Sequence, residues 1–182
     1  MLKQQLRPAL KRALGPESPS DARPVVVLGV GSEMRSDDAA GLHVAAAVSR
    51  ARLPGVHAWE TGPAPENFTA EIRRLHPATV LIVDCAHMEE APGTLRLIDP
   101  RDIGGVSFGT HGLPLSVLAD YLSKEIGCSV LILGIQPASV EVGEAVSQPV
   151  QDAIREAASL LLDCLSRGRS WRHSAVAPGD IH

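Results

Sequence analysis

Three stretches of this chain are apolar without alternation: residues 25–31 (VVVLGVG), 79–85 (TVLIVDC) and 128–134 (CSVLILG). A strand with one wet face alternates apolar and polar residues. An unbroken run rich in Val, Ile and Leu has to be covered on both faces, which is the condition of a strand inside a parallel sheet. Parallel strands need long crossovers, and the segments between these runs carry helical spacing. The chain is therefore expected to fold as an α/β protein, three layers α/β/α, around a twisted, mostly parallel sheet of about five strands.

The remaining elements follow from local pattern. Residues 39–51 (AAGLHVAAAVSRA) and 66–75 (ENFTAEIRRL) read as helices, as do 115–126 (LSVLADYLSKEI) and 147–167, where Val150, Ala153, Ile154, Ala157, Leu160, Leu161 and Leu165 recur at helical spacing. Residues 56–60 (VHAWE) read as a second strand. Residues 94–99 (TLRLID) alternate and suit a half-exposed edge strand. Residues 1–14 place Leu2, Leu6, Leu10 and Leu14 on one side of a short amphipathic helix that Pro8 should disturb. That helix is expected to pack on the domain or on a partner. The expected division is an N-terminal extension and linker over 1–24, one domain over 25–167, and a patternless tail over 168–182, with no internal repeat.

Composition narrows the function. Aromatic residues are only 3% of the chain, too few for the stacking platforms of single-strand nucleic-acid binders, and the net charge of −4 offers no general attraction to phosphate. Cys85, Cys128 and Cys164 are odd in number and far apart, which argues against a disulfide framework or a zinc knuckle and for buried free thiols in a reducing compartment. No apolar run reaches the length of a membrane span, and no secretory signal opens the chain, so a cytoplasmic location is expected. Gly29-Val30-Gly31 after a strand invites a dinucleotide reading, but Met34 stands where the third glycine would be and Asp37-Asp38 would face the pyrophosphate. G-K-[ST], G-x-S-x-G and H-E-x-x-H are all absent.

In an open α/β sheet, ligands collect at the carboxyl ends of the strands. Asp37 and Asp38 follow the first core strand, Asp84 ends the run of the third strand, His111 leads into a helix, and Gln136 follows the last core strand. Each has an ordinary explanation: Asp38 as a helix cap, His111 as a loop residue. Asp84 is harder to explain that way, because a carboxylate at the end of Val80-Leu81-Ile82-Val83 is costly to bury without a partner. Together, carboxylate oxygens and an imidazole suit a borderline divalent ion such as Ni(II), Zn(II) or Co(II), with coordination positions left open. Cys85 with His111 as nucleophile and base is a weaker alternative, since nothing in the sequence places them together.

The series LGVGSEMRSDDAAG (28–41), TGPAPENFTAEIRRLHPATVLIVDCAHM (61–88), PGTLRLIDPRDI (92–103), THGLPLSVLADYL (110–122), LILGIQP (131–137) and SQPVQDAI (147–154) resembles the hydrogenase maturation proteases, nearest to the hydrogenase-3 type, over about residues 25–165. The resemblance implies a phosphorylase/hydrolase-like α/β/α fold. It also implies an endopeptidase that removes the C-terminal extension of a NiFe-hydrogenase large-subunit precursor after nickel insertion. The nickel belongs to the precursor, which is the expected partner, and the protease is expected to be a monomer. Carried over, the nickel-contacting and catalytic positions are Asp38, Asp84 and His111, with Asp37 supporting the first of them. Departures from the family pattern are Ser32 in place of Asn, Ala39 in place of Gly, and Glu60-Thr61-Gly62 in place of Asp-Gly-Gly. They motivate an alternative, a nickel- or precursor-binding chaperone that does not cleave. A third reading, a nucleoside- or peptidyl-tRNA-hydrolase-like enzyme, shares the strand–glycine–loop opening but sits poorly with the acidic balance and the missing aromatics.

Overall fold

The structure, a computed structural model, describes residues 3–14, 23–103, 107–108 and 113–167. Its strands are β1 (Val25–Val30), β2 (Val56–Gly62), β3 (Thr79–His87), β4 (Leu95–Ile98), β5 (Ser107–Phe108) and β6 (Ser129–Ile135). They lie in the order β2-β1-β3-β6-β4, with β5 paired to the end of β3. The three uninterrupted apolar runs become β1, β3 and β6, the adjacent centre of the sheet, all parallel. The alternating segment becomes β4, an edge strand antiparallel to β6. β5 was not expected: two residues are too few to carry any periodic signal, and the sequence there reads as a glycine-rich loop.

Successive residues of the central strands point to opposite faces and build two cores. Val25, Val27, Leu81, Val83, Leu133 and Ile135 belong to one, shared with α1 (Lys3–Leu14), α2 (Ala40–Arg50) and α5 (Gln148–Arg167). Val26, Leu28, Val80, Ile82 and Ile132 belong to the other, covered by α3 (Thr69–Leu75) and α4 (Leu115–Tyr121). This is the three-layer arrangement expected from the sequence. α4 runs on into a π-helical turn, Leu122–Ile126, and stops at Gly127, whose φ of 72° favours a residue without a Cβ.

α1 is part of the first core. Leu6, Leu10 and Leu14 are all buried there, and Arg7 and Lys11 both reach Asp163 of α5. Pro8 does not interrupt the helix; it lies on the exposed side, away from that packing. Most of the expected linker, 15–22, and the tail, 168–182, lie outside the described residues.

One contact places the functional edge of the sheet. A Cβ on Gly29 of β1 would stand 2.3 Å from the carbonyl oxygen of Gly41, and a Cβ on Gly41 would stand 2.2 Å from that of Val83. The first turn of α2 therefore lies directly on the backbone of β1 and β3. The loop before it is held against the carboxyl ends of both strands.

Candidate active site

The loop from β1 to α2 turns sharply at Gly31. Its φ is 134°, and a Cβ there would meet the Asp38 carbonyl oxygen at 1.8 Å, so only glycine fits. Ser36–Ala39 form a 3₁₀ turn with all four residues buried. Asp38 is anchored in it by its own N–H, which donates to the Arg35 carbonyl at 2.9 Å. The N-cap of α2 is Ala39, in ordinary helical conformation, and no side chain caps the helix. Asp38 is thus not a capping residue, and Ala39 needs no glycine-like freedom.

Asp84 lies within β3, opposite Gly134 of β6, and is fully buried. Neither of its carboxylate oxygens has a hydrogen-bond partner among the described residues. Burial pushes its pKa well above the usual carboxylate range, and the neighbouring charge of Asp38 pushes it further. The Cys85 backbone N–H counteracts part of this without reaching hydrogen-bond geometry. Two carboxylates from loci far apart in sequence therefore feel each other in a place where water is excluded. Such a pair is relieved by a shared proton or by a cation. Their oxygen donors suit a divalent ion.

Asp37 behaves differently. Its buried carboxylate accepts from the N–H groups of Ala138 (2.8 Å), Ser139 (3.1 Å) and Ser147 (2.7 Å), and from the Ser147 hydroxyl (2.9 Å). It is committed to the loop between β6 and α5. Gln136 is likewise structural: its side-chain oxygen accepts from the Met88 and Glu90 N–H groups at 2.7 and 3.3 Å and braces the β3–β4 connection. His111 lies outside the described residues, and among those described no three acidic, histidine or cysteine side chains converge as a metal-binding cluster.

The Cys85–His111 alternative loses its nucleophile. Burial, followed by the charges of Asp84, Asp38 and Asp37, raises the Cys85 pKa far above that of a reactive thiol, and its Sγ donates to the Asp37 carbonyl at 3.0 Å. A residue not singled out from the sequence is Glu66, in the 3₁₀ turn Pro65–Phe68 after β2. Its Oε2 is buried without a hydrogen-bond partner among the described residues. The signal was the APEN segment, whose acid follows the end of a strand. Thr61, in place of the family's usual glycine, sits at a register shift between β1 and β2, where its hydroxyl donates to the Gly29 carbonyl at 2.9 Å. A groove of about 490 Å³ between α2 and α5, lined by His43, Arg50, Gln151 and Arg155 among others, includes neither Asp38 nor Asp84 in its walls.

Comparison with known proteins bears on the family and the fold. Residues 42–164 match the family model of the HycI hydrogenase maturation protease. The hydrogenase 3 maturation protease of Escherichia coli K12 is 41% identical over 130 residues, 71% of this chain and 83% of that protein. The crystal structure of a NiFe hydrogenase maturation protease HycI from Thermococcus kodakarensis KOD1 superposes with a TM-score of 0.76 at 28% identity, covering 86% of this chain and 98% of that one. The solution structure of the endopeptidase HycI from Escherichia coli superposes with a TM-score of 0.66 at 38% identity, over 75% of this chain and 87% of that one. With the family model spanning most of the domain and a relative matched over more than two thirds of the chain, this protein belongs to the hydrogenase maturation protease family.

Proposed function

We propose that this protein is an endopeptidase that removes the C-terminal extension of a NiFe-hydrogenase large-subunit precursor, and that it acts only once the precursor carries nickel. Asp38, Asp84 and His111 are the proposed contacts to that ion, which belongs to the substrate. The observation that carries the reading is the buried Asp38–Asp84 pair, with both Asp84 oxygens lacking hydrogen-bond partners among the described residues. A precursor without the ion brings no cation to the pair, whose repulsion a proton then has to relieve. A loaded precursor brings one, so the loading state is read before cleavage.

The reaction is hydrolysis. Water adds to the scissile carbonyl carbon, the C–N bond breaks, and the proton released from water ends on the departing amine. A divalent ion at such a site polarises a carbonyl or acidifies a bound water. The chain's own contribution is to hold the two carboxylates on rigid backbone, Asp84 inside a strand and Asp38 in a buried turn, and to keep bulk water away from them. A carboxylate of raised proton affinity is also suited to receive the proton from the attacking water.

The test is to incubate the purified protein with nickel-loaded and nickel-free precursor and weigh the products. Shortening of the loaded precursor only is expected, with no shortening by Asp38→Asn or His111→Ala. Normal processing by both variants would reject the site. Stable binding of the loaded precursor without shortening would assign the protein to the chaperone alternative.

A further inference from the structure

We infer that the two loops flanking the acid pair, residues 32–37 and 138–147, form a preorganised docking platform for an apolar, basic-flanked segment of the precursor, with Met34 and Val142 as its anchors. The inference rests on the processing function proposed above and adds how the polypeptide itself is held.

The loops are joined into one unit. Asp37 ties the first to both ends of the second through the Ala138, Ser139 and Ser147 N–H groups. The Ser36 hydroxyl donates to the Ala145 carbonyl at 3.0 Å, and the Gly143 N–H donates to the Met34 carbonyl at 3.0 Å. This last bond sets Met34 beside Val142. Both side chains nevertheless face solvent, at 71% and 65% exposure. The other two large apolar side chains exposed among the described residues, Leu113 and Val117, stand at the start of α4, before the chain returns to the amino edge where β6 begins.

Single exposed apolar residues are common, but two neighbouring ones on loops braced by a buried carboxylate are held at the surface by structure. The brace removes the ordering cost that a loose loop would meet on binding, and a methionine adapts its shape to what it meets. Met34 and Asp38 are four positions apart, a span of about 14 Å at full extension. A polypeptide whose ion lies at Asp38 therefore passes over the platform. The same loops carry Glu33, Glu141 and Glu144 against one cation, Arg35, an acidic balance that favours a basic-flanked partner and disfavours a second copy placed face to face across a two-fold axis.

The experiment is steady-state processing of nickel-loaded precursor by Met34→Glu, by Val142→Glu and by the double variant, with thermal melts to verify folding. An increase in KM of about tenfold or more, with kcat near that of the parent, is expected, because the anchors hold the chain and do not touch the reacting bond. An unchanged KM, or a fall in kcat alone, would overturn the inference while leaving the protease function standing. If the parent protein cleaves nothing, the proposed function fails, and the Kd of the parent and the variants for the same loaded precursor still decides the docking surface. Sedimentation of the protein alone completes the test: a parent dimer that Val142→Glu dissolves would assign the patch to self-association and overturn the inference.

Discussion

Asp37 and Ser147 meet through two hydrogen bonds: the carboxylate accepts the Ser147 backbone N–H at 2.7 Å and its hydroxyl at 2.9 Å, across 110 positions of sequence. Two more N–H groups complete the set. Asparagine has the same shape but only one accepting oxygen, so its amide would face a donor. Asp37→Asn is expected to destabilise the fold by about 3 kcal/mol, measured by urea unfolding, because buried donors lose a charged acceptor. A loss below about 0.5 kcal/mol would show that the loops do not depend on this carboxylate.

Asp84 is held at a cost to the fold. Burial, then the charge of Asp38, raises its folded pKa above the unfolded value, so between the two the folded state binds more protons than the unfolded one. Stability is therefore fullest below about pH 4, the ordinary aspartate range, and declines as pH rises through the folded-state pKa. Asp84→Asn removes the charge. Its melting temperature at pH 7 should exceed the parent's, the gain should shrink toward pH 4, and processing should be lost. A variant less stable than the parent at pH 7 would contradict this account.

The approach of α2 to the sheet permits no side chain at Gly41. A Cβ would fall 2.2 Å from the Val83 carbonyl oxygen and 2.3 Å from that of Val30, both backbone atoms that cannot step aside. Gly41→Ala should cost about 2 kcal/mol or more and move the turn carrying Asp38, so that processing falls along with stability. Gly127→Ala is the comparison: nothing lies within 4 Å of its Cβ position, and only the left-handed backbone opposes it, at about 1 kcal/mol with processing intact.

α1 contributes to the core from outside the family match, which begins at residue 42. Leu10 is completely buried, and Leu10→Ala should cost about 2–5 kcal/mol in equilibrium unfolding. A cost under about 0.5 kcal/mol would mean the helix docks too weakly to count as part of the domain.

Cys85 should be inert. Its thiol is buried among three carboxylates, stays protonated at neutral pH, and already has an acceptor. Cys85→Ala is expected to process precursor within about threefold of the parent, and iodoacetamide should leave Cys85 unmodified in the native protein, as read by mass spectrometry of its peptide. Rapid alkylation coupled to loss of processing would restore the thiol as a candidate nucleophile.

The three unbroken apolar runs were sufficient to mark β1, β3 and β6 as strands inside the sheet, because a strand covered on both faces has few other places in a fold; that they are neighbours is set by the tertiary structure. The same logic put β4 at an edge. It also brought Asp38 and Asp84 to one end of the sheet, since parallel strands deliver their following loops to a common edge. The resemblance gave Asp38 the contact and Asp37 a supporting place, but spacing along the chain could not say what each acid touches. Asp37 and Asp38 are identical side chains on consecutive residues, yet one is saturated by the loop after β6 and the other lies against Asp84. That division depends on a 3₁₀ turn and a steep glycine at position 31, neither of which leaves a periodic trace. Pro8 misled for a related reason: whether a proline breaks a helix depends on what its neighbours bury, and Leu6 and Leu10 are held in a core that only the tertiary fold assembles. Local pattern is written in side-chain spacing and can be read along the chain. Hydrogen-bond partners 110 positions away are chosen by packing, and exist only once the layers have closed.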